Sequence, residues 1–354
     1  MRRCLVLALA LMACGAGPAP ARGLPPGFFG VVSQAPLGGR DFDRMHGVVG
    51  TLRLPVYWAD CEPQPGRYGF AALDAIVGEA AQDGVRVLPF VYGSPGWLRP
   101  DPARPPLGSA RARAAWAGFL RVLVDRYGPH GSFWRGRAAL PIRSWQIWNE
   151  PNFLLFWRPR PSPRGYARLL GLSARAIHGR DPRARIVAAG LAPVGAGIPT
   201  WEFLRQMYRV RGVRAAVDAI ALHPYSSTLA GMAAQIRDVR TVMSQAGDGR
   251  EPLLISELGV ASWGSFPSSF VLGPDGQARF VRDALGLLVR ERRRWHIAGV
   301  DWFAWQDAPA ADPHCSFCEG AGLFAAGGRP KPAWLAFRRA VAAARSGPER
   351  RPIG

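Results

Sequence analysis

The sequence predicts an α/β chain folded as a single (β/α)8 barrel, the TIM-barrel architecture, and three observations carry that prediction. Eight short apolar runs, at 27–32, 51–55, 86–91, 144–148, 185–189, 219–222, 253–256 and 300–305, are separated by longer stretches with helical patterning. Strands alternating with helices specify parallel pairing through crossover connections. The runs are mostly continuous rather than alternating in polarity, as parallel strands buried on both faces require. No glycine-rich turn follows the first run, which disfavours an open dinucleotide-binding sheet. The 354 residues, 48% of them hydrophobic, supply enough apolar surface for one large core, although length alone fits one barrel or two small domains.

From the N-terminus, residues 1–21 read as an export leader. Arg2 and Arg3 precede an apolar run at 5–13 that is too short to span a bilayer. Two processing sites compete. Ala19-Pro20-Ala21 is a small-residue cleavage site, and Leu11-Met12-Ala13-Cys14 has the form of a bacterial lipobox, which would put a lipid anchor on Cys14. The barrel is expected over 25–345. Its helices are expected at 70–83, ending at Gly84, and at 111–127, where Trp116, Phe119, Leu120, Leu123 and Val124 share one face before Gly128-Pro129. Further helices are expected at 163–180, 200–210, 232–246 and 277–293. The Pro/Gly-rich stretches at 99–108 and 265–276 read as long loops after strands 3 and 7, the kind that surround the catalytic face of such barrels. Residues 346–354 read as a basic tail, and no segment after the leader is long and apolar enough to span a membrane.

Composition narrows the partners. The net charge is +20, nearly all from arginine, and Lys331 is the only lysine. Such charge favours anionic partners, or it is a solvated, arginine-biased surface. The dense runs Arg292-Arg293-Arg294 and 339–351 do not interleave with aromatics as in a nucleic-acid motif, so no nucleic-acid partner is expected. Aromatic content excludes disorder. The 13 tryptophans serve either as core or as faces on which sugar rings stack. Cys61, Cys315 and Cys318 lie beyond the leader. In an oxidising compartment Cys315 and Cys318 are a disulfide candidate. His314 beside them also allows a metal, but a second ligand pair at zinc spacing is missing.

Two carboxylates carry the chemistry. In Trp145-Gln146-Ile147-Trp148-Asn149-Glu150-Pro151-Asn152 an apolar strand ends in Asn-Glu, and Pro151 stops the ladder. Glu150 thus falls at the carboxyl end of strand 4, where barrel enzymes hold catalytic groups. Glu257 ends strand 7 in Leu253-Leu254-Ile255-Ser256-Glu257, and an unpaired carboxylate in a barrel mouth is costly unless it has a task or a cation. Glycoside hydrolysis uses such a pair, held roughly 5–5.5 Å apart when anomeric configuration is retained. Arg53, inward on strand 2, is the expected cationic partner of Glu257 and would keep it ionised. His223-Pro224-Tyr225 ends strand 6; alone, His223 reads as a satisfied core histidine, but beside Tyr225 and one strand before Glu257 it reads as part of a site.

With these residues in place the chain resembles a clan A glycoside hydrolase, the "4/7" retaining superfamily, and is similar to its cellulase-like families 5 and 39 over about 29–337. The resemblance implies that Glu150 is the acid/base and Glu257 the nucleophile, and that Asn149 bonds the sugar 2-hydroxyl. It implies that His223 and Tyr225 line the site, with Tyr225 reaching the nucleophile. Trp58, Glu62-Pro63, Gly66 and Tyr68 match the segment after strand 2 in these families, with Trp58 a sugar platform and Glu62 loop structure. Trp97, in Ser94-Pro95-Gly96-Trp97, belongs to an aromatic loop of the group. The tryptophan under the reacting sugar is expected at Trp305, with Trp302 in the core. Gln306-Asp307, the cysteine-containing loop after it, and the uncharged Ser33-Gln34 after strand 1 depart from the pattern, so sugar and linkage stay open.

The expected function is therefore double-displacement hydrolysis of β-linked poly- or oligosaccharide by an exported bacterial protein needing no metal or cofactor. Two other readings are a non-catalytic carbohydrate-binding barrel and an envelope-attached protein binding anionic glycans. Oligomeric state is not legible in the sequence.

Overall fold

The computed structural model describes residues 23–33, 36–193, 195–264, 268–308 and 319–346. The leader with Cys14, Gln34, Cys315 and Cys318, and the tail beyond Ser346 lie outside the described residues. Eight strands form one sheet: β1 (Phe29–Val32), β2 (Thr51–Tyr57), β3 (Arg86–Tyr92), β4 (Ser144–Ile147), β5 (Arg185–Ala188), β6 (Ile220–Leu222), β7 (Leu253–Leu258) and β8 (Ile297–Phe303). Each pairs in parallel with the next in sequence except β5 with β6, and β1 pairs with β8. Between β5 and β6 the ring closes through isolated parallel bridges, Val187 to Ala219 and Leu191 to Leu222, with Ala188 N donating to Ala219 O at 2.9 Å. The sheet is thus a barrel, as the eight apolar runs predict.

The helices are α1 (Gly39–Met45), α2 (Trp58–Cys61), α3 (Ala71–Gln82), α4 (Ala110–Tyr127), α5 (Pro163–His178), α6 (Thr200–Tyr208), α7 (Leu229–Gln245), α8 (Gly273–Glu291) and α9 (Pro332–Ser346). Side-chain caps set several starts. The hydroxyls of Ser109, Ser162 and Thr228 accept the free N–H of Ala112, Gly165 and Gly231, each satisfying a donor that has no partner within its helix. Thr228 explains why α7 begins three residues before Met232, where its apolar periodicity starts. The stretch 265–276 is not all loop: α8 starts at Gly273 with Pro274 in its first turn, where proline loses no hydrogen bond. α9, unexpected from the sequence, packs Trp334, Phe337 and Val341 into the core, an apolar face hidden between prolines and a basic tail.

The core has two parts. A small cluster of Leu88, Val187, Ala219 and Ala221, with Leu254 against it, draws on strands alone and fills the barrel interior. The large cluster lies between strands and helices. Ten of the 13 tryptophans are buried, so most of the tryptophan content is core rather than sugar-facing surface. Glycine makes room inside the barrel at Gly30 of β1, in register with Asp301 of β8; a Cβ there would overlap the Asp301 carboxylate.

Candidate active site

Four strands deliver polar side chains to one end of the barrel. Arg53, on β2, is 0% exposed, and a buried guanidinium is tolerable only when its donors are used. Its Nη1 donates to Glu257 Oε1 at 2.6 Å, its Nη2 to Asn149 Oδ1 at 2.9 Å and its Nε to Gln146 Oε1 at 2.9 Å. Its flat face lies over the Phe90 ring, 4.0 Å from the centroid. The planar fork therefore ties β2, β4 and β7 together.

Glu257 also accepts from the Tyr225 hydroxyl, at 2.7 Å on Oε2. Glu150 follows β4 by three residues, and its Oε1 lies 2.7 Å from His223 Nδ1. The same nitrogen is 3.5 Å from Glu257 Oε2. One ligand atom from each of Glu150, His223 and Glu257 falls within 4.8 Å of the other two, so the carboxylates face each other across the width of one sugar ring. Their donor atoms are of the kinds that ligate metal ions. The Arg53 cation against Glu257 makes the spot poor for a dication by Coulomb repulsion.

The chain reaches this arrangement through strained backbone. Trp148 and Glu150 are left-handed, with φ of 71° and 36°, a conformation that is uncommon for bulky residues and clusters at functional sites. Trp148 is anchored: its ring packs on Tyr92, Trp116 and Trp157, and its indole N–H donates to Phe156 O at 2.7 Å. Beyond Pro151, the Asn152 amide donates to Ala192 O and Ile198 O and fixes the loop over β5.

Burial, and next the charge of Glu257, hold the Glu150 carboxyl well above its ordinary value of 4.5, with Arg53 pulling the other way. Burial and then Arg53 hold His223 well below 6.5, so its ring is neutral. Nε2 has no hydrogen-bond partner among the described residues and faces Gly190, where a Cβ would overlap it. The proton therefore belongs on Nδ1, toward the carboxylates. Burial and Glu257 push the Tyr225 phenol up, which keeps it a donor. Asp301, buried in the barrel interior, is likewise raised well above 3.8, by burial first.

The structure thus gathers Arg53, Asn149, Glu150, His223, Tyr225 and Glu257 at one place. Two sequence expectations need correction. Trp58 is 0% exposed; it stacks on Phe119 and meets Trp97 and Trp116 edge-on, and its N–H donates to Glu62 Oε2 at 2.6 Å. It is a core residue, not a sugar platform. Trp305 is also 0% exposed, packed on Phe324 and Trp334 with its N–H on Asp41 Oδ1. β8 ends at Phe303, so strand alternation does not direct Trp305 inward. Phe303, whose ring meets Tyr225 edge-on at 6.3 Å, takes the position beside the site. Trp97 is half-buried and donates to Glu62 O, bracing the loop after β2. Glu62, accepting from both Trp58 and Gly66 N, is loop structure as expected, and Trp302 is core, packed on Phe280.

Sequence reasoning missed Gln146, Asp301 and Phe303. The first two were visible only as polar residues inside otherwise apolar runs.

Fold and site together define a (β/α)8 barrel with paired glutamates after β4 and within β7. The solved structures to which the chain is similar in fold include glycoside hydrolases. With a family 39 glycoside hydrolase from the gut symbiont Bacteroides cellulosilyticus WH2 the chain shares 19% identity at a TM-score of 0.68, over 91% of this chain and 64% of that one. With a monomeric β-xylosidase from Caulobacter crescentus CB15 it shares 18% at 0.67, over 90% and 69%. With a GH5_18 protein from Streptomyces cattleya, in complex with Manβ1-4GlcNAc, it shares 17% at 0.67, over 89% and 80%. The chain thus spans less than two thirds of the first of these. No protein-family model and no curated protein matches the sequence. At such identities the likeness is one of fold, and function rests on the site.

Proposed function

We propose that the protein is a retaining glycoside hydrolase that cleaves β-linked oligo- or polysaccharide by double displacement. The observation that carries this reading is the approach of Glu150, His223 and Glu257 atoms to within 4.8 Å of one another, near the roughly 5–5.5 Å of retaining enzymes and short of the roughly 6.5–9.5 Å of inverting ones. Glu257, with Arg53 on one oxygen and Tyr225 on the other, attacks the anomeric carbon. Glu150, held protonated by burial, gives its proton to the departing oxygen. Glu150 then takes a proton from water, which attacks the glycosyl–Glu257 ester and releases the sugar. Asn149 has its carbonyl on Arg53, which turns its amide N–H away from Arg53 to serve as a donor to the 2-hydroxyl. No step draws on a cofactor. The export leader read at 1–21 supports a site of action outside the cytoplasm of a bacterial cell.

A 2-deoxy-2-fluoro glycosyl fluoride tests this. Peptide mass mapping is expected to find the trapped sugar on Glu257, and Glu257→Gln is expected to abolish turnover in a chain that still folds by circular dichroism. Unimpaired turnover by Glu257→Gln, or a label elsewhere, overturns the assignment. Glycan binding without labelling or turnover would instead indicate a carbohydrate-binding barrel.

A further inference from the structure

We infer that Trp263 is a sugar-stacking platform beyond the subsite of the reacting sugar, and that the chain therefore acts on oligosaccharide chains rather than on single glycosides. This rests on the glycosidase reading above. Trp263 follows Glu257 by six residues, on the segment leaving the catalytic end of β7. It is 45% exposed in a protein that buries most of its tryptophan. An isolated exposed aromatic needs no explanation; this one is held in place. Its indole N–H donates to Asp307 Oδ2 at 3.0 Å. The other Asp307 oxygen accepts from Gly322 N and from Lys331 Nζ, both at 2.8 Å. Lys331 Nζ also donates to Gly320 O at 2.8 Å. Gly320 lies against the Trp263 backbone, leaving no room for a Cβ.

The only lysine of the chain is thus spent in a buried ion pair behind an exposed indole, although such pairs are costly to desolvate. The result is a ring bonded through one edge, already ordered before any ligand arrives. Stacking on the C–H face of a sugar then costs little further entropy. Trp201, also exposed, is different: the Arg205 guanidinium lies over its ring at 4.5 Å. The Trp263 support is continuous with the site, since Ala308, next to Asp307, packs in one cluster with Phe303 and Tyr225, and Tyr225 bonds Glu257.

The test compares full-length wild type, Trp263→Ala and Trp263→Phe. Probes are 4-nitrophenyl β-glucoside, β-xyloside and β-mannoside, and β-1,4-linked gluco-, xylo- and manno-oligosaccharides of two to six units. Binding of the same oligosaccharides is measured by calorimetry in a Glu257→Gln background. Trp263→Ala is expected to raise KM for the oligosaccharides about tenfold, with kcat and the 4-nitrophenyl kinetics within about twofold, and Trp263→Phe to retain most of the affinity. Equal effects on both substrate types, or no effect on oligosaccharides, overturn the platform and leave the hydrolase reading standing. Oligosaccharide binding that depends on Trp263 without any hydrolysis supports the platform and overturns the hydrolase. If wild type neither binds nor cleaves any of the probes, both fall.

Discussion

Arg53 concentrates the logic of the site in one side chain. It is the single permanent charge among Glu150, Glu257 and Asp301, and its three hydrogen bonds orient residues from two other strands. A lysine ammonium is a point charge on a flexible stem and does not reproduce a planar fork. Arg53→Lys is therefore expected to lower kcat by about 100-fold, since Asn149 and Glu257 lose a common anchor. Arg53→Met leaves a buried carboxylate without its cation and is expected to cost about 3–5 kcal/mol of stability; denaturant titration measures it. Tyr225→Phe removes one hydrogen bond to the same carboxylate, a kind worth about 1.5–3 kcal/mol, so kcat/KM is expected to fall about 10- to 100-fold and the melting temperature to fall with it. At this scale the sequence was readable where a charged or ring-bearing residue ended an apolar run, as Glu150, His223, Tyr225 and Glu257 do, and at Arg53, a cation inside a run that calls for an acidic partner. Asp301 and Gln146 sit inside runs, and only strand register shows which face they occupy.

Strands were legible in number and order; of the helices, the short α1 and α2 and the terminal α9 were not. The eight strands follow from continuous apolar runs, because a parallel sheet covered on both sides leaves no other pattern. Helix α9 escaped because its apolar positions come after the eighth strand, between prolines and arginines. Trp58 was misread for a related reason. A motif match says that a tryptophan follows β2; it does not say that α2 rotates the ring inward onto Phe119. The two roles predict opposite outcomes. As a core residue, Trp58→Ala is expected to lose about 3–5 kcal/mol of stability while the folded protein keeps its KM. A platform would show raised KM and an unchanged melt. Thermal denaturation paired with steady-state kinetics separates the two.

For the whole molecule, the site is a stability cost that depends on pH. Glu150 and Asp301 are held above 4.5 and 3.8, so between those values and their folded ones the native state binds protons that the unfolded chain has released. Stability then falls as pH rises, by about 1.4 kcal/mol per pH unit for each group still protonated. His223, held below 6.5, acts oppositely: below 6.5 the unfolded chain binds a proton that the native ring refuses, and stability falls as pH falls. Below 6.5 the histidine therefore opposes the trend set by the carboxyls. Above 6.5 the histidine contributes no further offset. Glu150→Gln and Asp301→Asn each replace an acid by a neutral isostere that has no ionisation to oppose. Each is expected to raise the melting temperature, by more at pH 8 than at pH 5, with Glu150→Gln inactive on unactivated glycosides. Melting curves at the two pH values decide the matter. A gain that does not grow with pH would mean that these carboxyls are not protonated in the folded barrel, and the proton that Glu150 must donate would have no source.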